Sequence, residues 1–91
     1  MTSANQQGAL TLPNTRVNGT SRQSLIADYQ TARHAVHAAI SAVAEACPST
    51  RDYYAQGDDA FMLAAVQHTA RLESLSRIES ELTAILTSLI D

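Results

Sequence analysis

Lysine is absent from this sequence, and six arginines stand against nine acidic residues for a formal net charge of −3. Duplex nucleic acid is held by a basic face that neutralises several phosphates. None can be assembled here, so a duplex is not an expected partner. Cysteine is nearly absent as well: a lone Cys47 excludes both an internal disulfide framework and a cysteine cluster for zinc. It precedes Pro48 at the predicted end of a helix, where the negative end of the helix dipole disfavours a thiolate. Cys47 is therefore expected to be a small buried hydrophobe in a reducing, cytoplasmic setting. No stretch approaches the roughly 18 apolar residues of a membrane span, and no basic segment followed by an apolar run opens the chain, so neither a membrane anchor nor a signal peptide is expected. Also missing are a glycine-rich phosphate loop, paired carboxylates at acid–base spacing, and the GxSxG and HExxH motifs. No catalytic residue, cofactor or metal is expected.

Glycine and proline are confined to Gly8, Pro13, Gly19, Pro48 and Gly57. Residues 1–19 have few sizeable apolar side chains, and their Ser, Thr, Asn and Gln content predicts a flexible N-terminal arm. Residues 20–91 are predicted to form an all-α antiparallel two-helix hairpin, with helices over about 20–47 and 58–90 and a connector at 48–57. In the first helix, Thr20 to Gln23 fits a capping box. Leu25, Tyr29, Ala32, Val36, Ala39, Val43 and Ala46 then recur at alternating steps of 4 and 3, a continuous heptad seam. Seven alanines between 32 and 46 favour the helix and let a neighbour approach closely. Pro48 ends it, because the residue before a proline is pushed out of the α region.

Asp58 is the expected N-cap of the second helix, with Gly57 giving a flexible lead-in. Its seam runs Phe61, Ala65, His68, Leu72, Leu75, Ile78, Leu82, Ile85 and Leu89, with Met62, Val66, Leu86 and Ile90 thickening the stripe. Glu73, Arg77 and Glu81 are predicted to form a solvated ladder of i,i+4 pairs on the outer face. A lone hairpin leaves half of each stripe wet, so a homodimeric four-helix bundle or a higher oligomer is expected.

The connector carries more than a turn needs. Pro48, Ser49, Asp52 and Gly57 supply the backbone geometry, whereas Arg51, Tyr53, Tyr54 and Gln56 are not required for turning. One explanation is structural: a tyrosine folds back to plug the bundle against Phe61, and Arg51 caps the first helix or pairs with Asp58 or Asp59. The other is a ligand-binding site. Arginine offers a planar fork to phosphate, tyrosine a stacking face, and Gln56 a contact to a base edge. Two or three such contacts barely reach micromolar affinity, so a tight site would draw on a second protomer or on Arg16 and Arg22. His34 and His37 read as exposed polar-face residues, since no further metal ligand is placed beside them. His68, on the apolar seam, reads as a buried histidine bonded to a group such as a tyrosine hydroxyl, with a ligand contact as the sharper alternative.

RDYYAQGDDAF at 51–61, following a Pro-containing helix end and followed by His68, Arg71-Leu72 and Leu75, resembles a loose group of small helical accessory proteins from phages and prophages. The resemblance covers roughly residues 46–90 and carries over no catalytic residue. It implies a non-enzymatic viral protein that acts by binding in the host cytoplasm. On these grounds the leading expectation is sequestration of a small ligand, a nucleotide-derived host immune signal, by Arg51, Tyr53, Tyr54, Gln56 and His68. The alternatives are a module that inhibits or adapts a host protein, or a virion or assembly component.

Overall fold

Ser21 starts the first long helix. Its backbone is extended and its hydroxyl oxygen accepts the N–H of Ser24 at 3.1 Å, which satisfies one of the free donors of the first turn. In the computed structural model, which describes residues 9–13 and 21–91, helix α1 runs Arg22–Glu45. A four-residue helix α2, Thr50–Tyr53, and a 3₁₀ turn, Tyr54–Gln56, lead into helix α3, Asp58–Ile90. The described residues contain no strand, so the chain is all-α.

α1 and α3 pack side by side and run in opposite directions. Arg22, in the first turn of α1, donates from Nε to the Leu89 carbonyl and from Nη2 to the Ile90 carbonyl at 2.9 Å. The last carbonyls of a helix have no partner within it, and a cation there also opposes the helix dipole. In this exposed setting the cap is worth roughly 0.5–1 kcal/mol. Further along, His37 Nδ1 meets Glu79 Oε2 at 2.9 Å, a hydrogen bond that is also an ion pair when the ring is protonated and the single contact of that kind among the described residues. With His37 largely in water, the pair contributes under about 1 kcal/mol.

The fully buried apolar core is small: Ile85, Leu86 and Leu89 on the last turns of α3. α1 contributes half-buried residues such as Leu25, Ile26, Val36 and Val43, and no fully buried one. The two helices also differ in length, 24 residues against 33. Eight residues beyond His37 α1 ends at Glu45, and eight residues back from Glu79 on α3 is Arg71. The first turns of α3 therefore extend past α1, packed against α2 and the 3₁₀ turn.

Several expectations are corrected. Thr20 lies outside the described residues, as do most of the arm and Arg16; within 9–13, Leu10 and Leu12 are exposed and Pro13 half-buried. α1 stops at Glu45 rather than Cys47, so Cys47 sits past the helix and is exposed instead of buried, with its Sγ 3.7 Å from the Pro48 carbonyl. The N-cap of α3 is Gly57, with Asp58 as the first helical residue. The Glu73–Arg77–Glu81 ladder does not close to ion-pair distance. Met62, Val66 and Ile90 are exposed, while Leu86 is buried as expected. Met62 and Val66 lie three and two turns before Glu73 on the same face, so the outward side of α3 carries them into water.

Candidate binding surface at the connector

The connector is more ordered than a plain loop. Ser49 caps α2, its hydroxyl accepting the Arg51 N–H at 3.3 Å while its carbonyl accepts the Asp52 N–H at 3.0 Å. The signal was present in the sequence: Ser49 and Asp52 stand three apart, the spacing of a capping box. The 3₁₀ turn closes with the Gly57 N–H on the Tyr54 carbonyl at 3.1 Å. Gly57 then adopts φ 102°, ψ 165°, a conformation open essentially to glycine alone. That residue turns the chain from the connector into α3.

This frame separates the two tyrosines. Tyr53 is half-buried, the inward member of the pair, and Tyr54 is 76% exposed. Tyr54 lines a cavity of about 280 Å³ together with Thr50, Gly57, Phe61 and Met62. Arg51 and Gln56 are exposed but do not line it. The Arg51 side chain bonds to no described group, so neither its capping of α1 nor a pair with Asp59 is formed. Asp58's side chain lies outside the described atoms. Arg51, Tyr54 and Gln56 thus share solvent exposure, while Tyr53 is half-buried.

His68 stands apart from them. It is 7% exposed, on the inner side of α3, and its Nε2 is sealed from solvent with no hydrogen-bond partner among the described residues, so no tyrosine hydroxyl bonds to it there. A buried polar atom left without a partner costs about 1–3 kcal/mol. Replacing the ring with an apolar side chain of similar bulk removes that cost. His68→Leu should therefore raise the unfolding free energy by about 1 kcal/mol, read by urea titration under circular dichroism. A loss of stability of similar size would show that Nε2 is satisfied in solution.

His34 and His37 are exposed on α1, as their spacing indicates. Sequence reasoning missed that His37 reaches across to Glu79; with Arg33, His34 and Thr83 they line a polar cavity of about 320 Å³. It also missed the outward apolar surface of α3, where Met62, Leu63 and Val66 are each more than half exposed. A groove lined by Ala65, Val66, Thr69, Ala70 and Glu73 continues that surface. The face could have been found by noting that Met62 and Val66 share the row of Glu73 and Arg77.

Among the described residues no three His, Cys, Asp or Glu side chains gather to hold a metal ion, and no helix is long and apolar enough to cross a membrane. Compared with known protein families, with curated proteins and with solved structures, the chain matches none.

Proposed function

We propose that this chain is a non-enzymatic binding protein, a self-associating helical hairpin of the four-helix-bundle type that contacts a protein partner through its connector and the start of α3. The observation that supports it is the joint exposure of Tyr54, Met62, Leu63 and Val66 beside the exposed Arg51 and Gln56. An exposed apolar patch rimmed by polar groups marks an interaction surface. Aromatic residues, methionine and arginine are what such surfaces concentrate. Small-molecule sites, by contrast, converge their polar groups into a concavity, and Arg51 and Gln56 do not line the one beside Tyr54. The resemblance of RDYYAQG to phage accessory proteins makes the partner a host protein and the host cytoplasm the place of contact.

A second reading, sequestration of a nucleotide-derived signal, draws on one feature: Tyr54 and Phe61 line a common cavity of about 280 Å³, near the lower limit of small-molecule sites. One paired experiment distinguishes the two. A photo-crosslinking residue at position 54 should capture a discrete host protein, and purified partner should then bind wild type but not the Tyr54→Ala, Met62→Ser double variant. Native mass spectra should meanwhile show no added mass from cyclic oligonucleotides or NAD-derived nucleotides. A nucleotide adduct lost in Arg51→Ala would establish the second reading instead. If neither adduct forms, the binding role assigned to the connector is wrong.

A further inference from the structure

We infer that the groove between α1 and α3 around Arg33 is a binding site for a small phosphate ester, with Arg33, His34 and Thr83 on the phosphate and Gln30 and Thr31 beside the uncharged body. Arg33 lies about 18 Å along α1 from the helix end at Glu45. The site is therefore separate from the connector surface and does not rest on the partner proposed there.

The first observation is how the two helices bring polar side chains together. Gln30, Arg33, His34 and His37 follow at i, i+3, i+4 and i+7, one face of α1, while Glu79 and Thr83 stand four apart on α3. The bond from His37 Nδ1 to Glu79 Oε2 joins the two rows. Arg33, His34, His37, Glu79 and Thr83 line a cavity of about 320 Å³. Gln30, Thr31, Arg33 and His34 line a second of about 350 Å³. Arg33 and His34 border both, so the cavities adjoin at these two side chains, and each has the size of a small-molecule site.

The second observation is charge. Nine acidic residues outnumber six arginines in the chain, yet the one carboxylate lining either cavity is Glu79, and His37 engages it. Arg33 is half-buried and forms no ion pair among the described residues, not even with the Glu79 that shares its cavity. A guanidinium is a planar fork of N–H donors that matches phosphate oxygens two at a time. His34, whose ring donates one N–H even when neutral, and the Thr83 hydroxyl are further donors on the same cavity. Three donor side chains suit the three free oxygens of a phosphate ester better than the two of a carboxylate.

A cation does not suit this groove. His34, His37 and Glu79 do not gather as a trio of metal ligands among the described residues, and Arg33 would repel the ion. The second cavity indicates what the phosphate is attached to. Gln30 and Thr31 are neutral donors and acceptors, and no tyrosine or phenylalanine lines either cavity to stack a base. A hydroxyl-bearing body, a polyol or a sugar, therefore fits better than a nucleotide. Glu79 opposes a second negative group, so a single phosphate is favoured over a longer chain of them.

Titration of the full chain with glycerol phosphate at fixed ionic strength, followed by proton–nitrogen NMR, tests this. The signals of Arg33, His34 and Thr83 should shift to saturation with a Kd of about 1 mM or below. Inorganic phosphate, acetate and AMP should each bind at least about threefold more weakly. Arg33→Gln should weaken binding at least about tenfold with unchanged circular dichroism, and Arg33→Lys should recover part of it, since the charge returns without the fork. Glu79→Gln should tighten binding about threefold or more, because the one opposing charge is gone. Shifts that never saturate, or that Arg33→Gln leaves unchanged, overturn the site. Weaker binding by a folded Glu79→Gln overturns its assignment to an anion. Acetate that binds as tightly as inorganic phosphate overturns the phosphate, and AMP that binds more tightly than glycerol phosphate overturns the polyol body.

Discussion

Leu86→Ala should remove about 2–3 kcal/mol of unfolding free energy, the largest single loss expected anywhere in the chain. Leu86 is 3% exposed, the most buried apolar side chain among the described residues, and only Ile85 and Leu89 share that class. Truncating a leucine in a core forfeits its transfer free energy and leaves a cavity that the surroundings fill only in part. The α1 side chains opposite are at most half-buried and free to shift, so the value belongs in the lower half of the usual range of about 2–5 kcal/mol. A chain of this size has roughly 5–14 kcal/mol in all, so the loss is a large share of the whole. Urea titration of Leu86→Ala beside Val66→Ala measures it directly. Val66 is 66% exposed and its truncation should change stability by less than about 0.5 kcal/mol. Equal effects at the two positions would show that the end of α3 is not where the fold is held.

Gly57→Ala should cost about 2 kcal/mol through the backbone alone. At φ 102°, ψ 165° an L-residue is strained, yet a Cβ built there would meet nothing within 4 Å. The penalty is therefore conformational, with no clash to relieve, and larger side chains should add little to it. D-alanine, whose preferred φ is positive, separates the two causes: it should restore or exceed the glycine protein's stability in a synthetic chain. Equal destabilisation by both alanines would point to lost space instead. Because Gly57 sets the direction in which α2 and the 3₁₀ turn leave α3, Gly57→Ala should also displace Tyr54 and reduce the protein contact proposed for it.

Much of this architecture was readable from the sequence because helix punctuation is local. Pro48 and Gly57 bracket the connector, and the absence of glycine and proline between them and the helix ends leaves two long helices. The cap of α1 was placed one residue early because Thr20 and Ser21 are both good caps; the extended backbone at Ser21 decides it. Burial was harder to read. By spacing Met62 and Val66 thicken the apolar stripe, but they lie on the face of α3 that also carries Glu73 and are exposed. Cys47 stands past the last turn of α1 and is exposed as well. The connector stands out in the sequence because Arg51, Tyr53, Tyr54 and Gln56 are more than the side chains a turn calls for. Which tyrosine is the more buried is decided where α2 gives way to the 3₁₀ turn, between Tyr53 and Tyr54, and composition carries no trace of that junction.

The tie between Arg22 and the carbonyls of Leu89 and Ile90 fixes how the molecule would yield to force. A load applied across those two ends does not shear α1 along α3, which would strain every contact at once. It peels the helices apart from that end, opening one turn before the next is loaded. The first bonds to give are the two from the guanidinium, and the first side chains uncovered are Leu89, Leu86 and Ile85. The mechanical clasp and the hydrophobic core thus sit at the same pole, and the exposed connector, at the far end of the lever, is the last part to feel the pull.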